Sequence, residues 1–157
     1  MQTHYVFVDY DNTHLGNVAL IAQSSQKLII KIFLGSHHNV IPLALARALQ
    51  PLGTDAQYIQ FEGRHNAIDF NIAFQLGELA IQHPQDQFSI LTNDVGFNEI
   101  VASLKAKGIN CSRFSDMESF LKSMVEPVAA TKEKLQADKI VGILDPRKRS
   151  TDLSQNQ

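Results

Sequence analysis

Asp9, Asp11 and Asn12 follow directly on the apolar run Val6-Phe7-Val8. A second such ending occurs later, where Phe88-Ser89-Ile90-Leu91 runs into Thr92-Asn93-Asp94. A third acid, Asp69, interrupts an apolar helical stretch between Ile68 and Phe70. Carboxylates gathered within a few ångströms repel one another and raise at least one pKa unless a cation sits among them. A hard divalent ion with oxygen ligands resolves the repulsion, and Mg²⁺ or Mn²⁺ suits such a donor set. An ion held this way keeps positions for a phosphate and an attacking water, so the chemistry implied is hydrolysis of a phosphodiester or phosphate ester. Each acid also has a plainer reading. Asp9 could cap the turn that follows it, and Asp69 could complement a helix dipole, worth roughly 0.3–1 kcal/mol.

The elements that must position these acids alternate between strand and helix. Val6-Phe7-Val8 reads as a strand buried on both faces, the pattern of a parallel sheet. Residues 28–34 form a second such run, stopped by Gly35. Residues 56–61 alternate and suit a strand nearer a sheet edge. Residues 88–91 and 109–114 supply the fourth and fifth strands. Between them, helical spacing predicts short helices over 15–25, from Pro42 to Leu49 and over 116–124, with longer ones over 67–82 and 97–107. This order implies an α/β domain with parallel strands, right-handed crossovers and helices on both faces. In a doubly wound sheet the first and fourth strands flank the point where strand order reverses, which brings Asp9 and Asp94 to one crevice. Pro127 marks a boundary between a domain over 1–126 and a C-terminal segment over 127–157. That segment carries a potential helix over 131–143 and a polar tail containing Arg147-Lys148-Arg149.

The 157 residues suffice for one domain with a sizeable core, and 44% hydrophobic with 19% charged fits a globular protein. No apolar run reaches the length of a membrane span, which excludes a membrane partner by that route. With one cysteine, Cys111, and no signal-peptide pattern, the chain is expected in the reducing cytoplasm. The net charge of −2 requires any nucleic acid to be held by a local basic patch.

Taken together, three motifs resemble the PIN-like nucleases, specifically their NYN-type branch. Val8-Asp9-Tyr10-Asp11-Asn12 is similar to the family's opening motif, Asn66-Ala67-Ile68-Asp69-Phe70 to its middle-helix acid, and Thr92-Asn93-Asp94-Val95-Gly96-Phe97 to its Ser/Thr-x-Asp motif. The resemblance implies a three-layer α/β/α fold with a parallel five-stranded sheet in order 3-2-1-4-5. It implies a metal-dependent endoribonuclease in which Asp9, Asp69 and Asp94 are the catalytic and metal-binding acids, with Mg²⁺ or Mn²⁺ as cofactor. Asp11, Asn12, Thr92 and Asn98 would support that site, Asn12 by orienting Asp9 or the substrate and Thr92 through its hydroxyl. The partner implied is RNA, with DNA and a homodimer left open. The chain departs from the family where many relatives carry a fourth acid, having Gly96 and Asn98 at those positions, which weakens a second metal site.

Two other readings stand beside this one. The same fold could bind nucleic acid or protein without cutting. Alternatively, Asp9-Tyr10-Asp11-Asn12-Thr13 fits the Asp-x-Asp-x-Thr motif of haloacid-dehalogenase-like phosphatases, with Asp9 as nucleophile, Asp11 as general acid/base, Thr92 as the later hydroxyl and Lys105 as the positioned lysine. That reading leaves Asp69 without a role. Arg64, His65 and Asn66, just before the middle helix, and Arg113 at the end of the fifth strand are the candidate nucleic-acid contacts. His37-His38 could ligate a metal, but neighbours in sequence seldom converge on one ion, and a solvated turn is the simpler expectation. Lys105 and Lys107 suit a solvated helix face, Arg147-Lys148-Arg149 either non-specific nucleic-acid affinity or solubility, and Cys111 the core.

Overall fold

The computed structural model describes residues 2–125, apart from 17, 19–20, 22–23 and 64–65. The helix expected over 15–25 falls partly on residues outside that set, as do Arg64, His65 and everything expected beyond Val125. Of the 15–25 segment, Val18 and Ile21 are buried.

Five strands form one sheet: β1 (Thr3–Asp9), β2 (Lys27–Gly35), β3 (Ala56–Phe61), β4 (Gln87–Leu91) and β5 (Asn110–Phe114). Their order is β3-β2-β1-β4-β5 and every pairing is parallel, as the family resemblance implied. β1 lies at the centre because its apolar residues are covered on both faces: Val6, Phe7 and Val8 are fully buried. The edge position of β3 explains its alternation, with Tyr58 and Gln60 exposed while Ile59 and Phe61 turn inward.

Among the described residues four α-helices flank the sheet: α1 (Leu43–Leu49), α2 (Ala67–Gln82), α3 (Phe97–Ala106) and α4 (Met117–Val125). One face of β1, carrying Tyr5 and Phe7, packs with Phe33, Phe88 and Ile90 against Ile72, Leu76 and Ala80 of α2 and Phe97, Val101 and Leu104 of α3. A row of stacked rings, Phe7 on Phe33 at 6.1 Å and Phe33 on Phe61 at 5.9 Å, crosses three strands on that face. His4 points to the opposite face, where its ring meets Phe120 of α4 edge-on at 5.2 Å. α3 ends at Gly108, whose φ of +79° is the left-handed conformation that closes a helix, and the Gly108 N–H donates to Lys105 O at 2.9 Å. α4 begins where the Asp116 carboxylate accepts the Ser119 N–H at 2.7 Å. α2 keeps its inward stripe at Ile72, Leu76 and Ala80 but presents Phe70, Phe74 and Ile81 outward.

Candidate active site

The strands all point their carboxyl ends at one edge, so the polar residues that end β1 and β4 meet there. Register places Val8 beside Leu91, and the next residues outward, Asp9 and Thr92, are side-by-side neighbours. Asp9 is buried, 3% exposed, and Thr92 is completely so. A hydroxyl offers one donor and two acceptor lone pairs, and Thr92 uses all three. Its Oγ1 donates to Asp9 Oδ2 at 2.9 Å, accepts the backbone N–H of Asp94 at 3.1 Å, and accepts Asn12 Nδ2 at 3.4 Å. Three candidate residues are thus joined through one hydroxyl. The Asn93 N–H donates to Asn12 O at 2.8 Å, tying the two strand ends together along the backbone as well.

Beyond Asp9 opens a cleft of about 480 Å³, whose walls include Asp9, Asp11, Asn12, His37, Asn66 and Asp69. Its floor is the β1–β2–β3 side of the sheet edge, where Gly35 and Phe61 end their strands. Asn66 enters α2 with φ +75°, the left-handed region that Asn tolerates better than most residues. That turn starts α2 at Ala67 and brings Asp69, in its first turn, onto the cleft wall. Gly63 makes room for this: a Cβ there would lie 2.5 Å from Ala67 Cβ.

Burial pushes the Asp9 carboxyl above its ordinary range, and the negative charges of Asp69 and Asp11 push it the same way; the Thr92 hydrogen bond pulls against both. A buried carboxylate flanked by two more is costly to ionise without a cation. The donor set around Asp9 is all oxygen, which fits a hard divalent ion.

Asp94 stands one strand over and is not on the cleft wall. Its Oδ1 accepts the Gly96 N–H at 2.8 Å, in the turn that starts α3. A Cβ on Gly96 would come within 3.1 Å of that oxygen, so an acid at position 96 would crowd Asp94. Asn98 is also engaged: its Oδ1 accepts Arg113 Nε at 2.7 Å, while Arg113 Nη1 donates to Thr92 O at 2.9 Å. Two of the arginine's donors are therefore directed inward, bracing the Thr92 segment. Arg64 and His65 lie outside the described residues. Lys105 is exposed on α3 and away from the cleft wall.

His37-His38 lie on the expected turn, His37 exposed to solvent, but both side chains converge on Asp11. His38 Nε2 contacts Asp11 Oδ1, His37 Nε2 lies 3.9 Å from the same oxygen, and the two rings are 4.1 Å apart. Tyr10 adds an edge-on contact to His38 at 4.8 Å. The dipeptide converges because Ser36 and His37 form a turn, closed by His38 N–H to Gly35 O at 3.1 Å, that folds both rings back over the end of β1. Spacing alone could not reveal this, since the turn's direction depends on β2 ending beside β1.

Comparison with known families agrees with this architecture. The PIN domain matches residues 3–114, from the first residue of β1 to the last of β5. No curated protein and no solved structure gives a significant match. PIN domains are usually nucleases and typically use divalent metals, and the match leaves the phosphatase alternative without support. Its span covers the whole sheet together with Asp9, Asp69 and Asp94, and by it the chain belongs to the PIN domain family.

Proposed function

We propose that the protein is a metal-dependent endoribonuclease of the NYN-type branch, hydrolysing RNA phosphodiester bonds in the cleft beside Asp9. The observation that carries this reading is the buried Asp9 carboxyl, whose ionisation is opposed by burial and by the charges of Asp69 and Asp11, on the wall of a cleft of about 480 Å³. Asp9 and Asp69 would hold Mg²⁺ or Mn²⁺, with Asp11 on the same wall. Asp94, the third acid of the motif set, would complete the site from the β4 side, where Thr92 already ties its backbone to Asp9. A divalent ion bound there would polarise the scissile phosphate and offset charge on the leaving oxygen.

The chain's own groups have definable tasks around that ion. Thr92 fixes the Asp9 carboxylate in one orientation, and Asn12 is held against the same hydroxyl. Asn66, exposed and on the cleft wall, could donate from its amide to a phosphate oxygen. Recognition would rest on backbone phosphate and strand shape more than on base edges.

The test is cleavage of a labelled single-stranded RNA by the full chain. Activity should rise with Mn²⁺, vanish with chelator, and fall by orders of magnitude in Asp9→Asn and Asp69→Asn while RNA affinity without metal persists. Asp94→Asn separates a ligand from a turn-former: loss comparable to Asp69→Asn assigns it to the ion. Tight RNA binding with no cleavage in either ion would instead favour a non-catalytic PIN module, a reading to which the missing fourth acid at Gly96 and Asn98 lends weight. Metal-independent cleavage that survives Asp9→Asn would sink the mechanism.

A further inference from the structure

We propose that Asp11, His37 and His38 form a second cation site, for a borderline transition ion of the Zn²⁺ type, on the rim of the cleft. The site is chemically unlike the carboxylate set around Asp9, and the inference stands whether or not the chain cleaves RNA. Among the described residues these three form the group whose ligand atoms, one from each, all lie within 4.8 Å of one another; Asp9, Asp69 and Asp94 are not so closely drawn together. Atoms bound to one zinc ion at ~2.0–2.1 Å stand roughly 3–4 Å apart. Small rotamer changes on an accessible turn therefore suffice to close the group on an ion.

The surroundings are built to hold the three side chains where they are. Gly35 ends β2 directly beneath them, and a Cβ there would come within 2.8 Å of Asp11 Oδ2 and within 2.8 Å of the His37 ring. A Cβ at that position would displace the ends of both side chains, so glycine lets carboxylate and imidazole keep these positions over the strand end. Gln60, on the neighbouring strand, donates from Nε2 to His38 O at 2.9 Å, with longer contacts to Gly35 O at 3.3 Å and Ser36 O at 3.4 Å. One amide thus pins the whole turn, and Tyr10 braces the His38 ring from the side. This orientation by surrounding contacts is what holds metal-ligating imidazoles in place.

Two imidazole nitrogens and one carboxylate oxygen select borderline ions over Mg²⁺, which prefers oxygen alone. Three protein ligands leave a tetrahedral ion one further position. Asp11 and His37 both line the cleft, so that position is available to a water or to a phosphate oxygen entering it.

The probes are ZnCl₂ in calorimetry and CoCl₂ in visible absorption, with the full chain. Co²⁺ should give the intense bands of a four-coordinate site, saturating at one equivalent. His37→Ala and His38→Ala should each weaken binding by at least about tenfold, and Gly35→Ala, which keeps every ligand, by about tenfold as well. Asp9→Asn should leave the Co²⁺ spectrum unchanged. Both histidines sit on an accessible turn, so a thermal melt of each variant separates lost binding from lost fold. Binding that is undiminished in the His37→Ala/His38→Ala double variant, or that disappears in Asp9→Asn alone, would overturn the proposal and assign the ion to the carboxylate set. No binding by the unaltered chain at micromolar Zn²⁺ would overturn it too.

Discussion

Replacing Thr92 by valine preserves shape and removes one atom's hydrogen bonding, at a position with no exposed surface. Three partners lose it: the Asp9 carboxylate, the Asp94 N–H and the Asn12 amide. A hydrogen bond to a charged group contributes about 1.5–3 kcal/mol, and a buried donor left unpaired costs about 1–3 kcal/mol. Asn12 is exposed and finds water, so its loss counts for little. Partial relaxation of the loop reduces the sum, and a destabilisation of about 2–4 kcal/mol at pH 7.5 is expected.

The pH dependence identifies which part belongs to Asp9. The folded-state pKa of this carboxyl is already raised above 3.8, so its ionisation costs the fold stability as pH rises through that higher value. The Thr92 hydrogen bond opposes that rise, and Thr92→Val pushes the pKa further up. The penalty of the substitution is therefore largest where Asp9 is charged and shrinks as pH is lowered through its raised pKa. Urea denaturation of both proteins at pH 7.5 and near pH 4 measures this directly. A double-mutant cycle with Asp9→Asn, which keeps an accepting oxygen and removes the charge, should give a coupling of about 1 kcal/mol. A penalty equal at both pH values, together with coupling below about 0.5 kcal/mol, would refute the argument that the hydroxyl acts on the Asp9 charge.

Two further outcomes follow from the same electrostatics and burial. Asp9→Asn in metal-free buffer at pH 7.5 removes a buried charge that its neighbours oppose; it should gain about 0.5–2 kcal/mol, roughly 2–6 °C in Tm, and lose any Mg²⁺-dependent rise in a thermal shift assay. Cys111 is buried and its thiol is pushed up to about 12, so alkylation by iodoacetamide at pH 8 should be negligible in the native chain and rapid in denaturant.

The sheet was legible because buried parallel strands announce themselves. Val6-Phe7-Val8 and the run from Leu28 to Leu34 have no polar face to confuse the reading, and α2 was bounded to the residue by Asn66 before it and His83-Pro84 after it. The acids at the ends of β1 and β4 could be assigned to one edge from topology alone, since strand direction fixes which end each occupies. What topology does not determine is side-chain direction within a turn. Asp94 lies at the expected strand end yet directs a carboxylate oxygen to Gly96 N–H, a local choice that Asp makes readily in loops. Arg113 similarly meets Asn98, fifteen residues earlier in the chain, because β5 returns beside the start of α3. The His37-His38 pair was least legible, because its meaning depends on Asp11, which reaches it only across the β1–β2 pairing.

These placements make the site asymmetric about the strand-order reversal. The switch point lies between β1 and β4, but the cleft opens towards β2 and β3, where Gly35 and Gly63 leave room and α2 starts late. On the β4 side the space is filled from within: Thr92 is buried, Asp94 turns into the α3 turn, and Arg113 with Asn98 braces the backbone behind them. On the proposed function, a phosphate entering the cleft would meet Asp69, Asn66, Asp11 and His37, which line it, and not Asp94. The two sides have different demands. The filled side fixes Asp9 through one hydroxyl, while on the proposed function the cleft side would have to tolerate the arrival of negative charge against three carboxylates. No lysine or arginine offsets that repulsion on the described cleft wall. On the proposed function, cations from solution, held by the carboxylate set and by the histidine rim, would be what admits a phosphate.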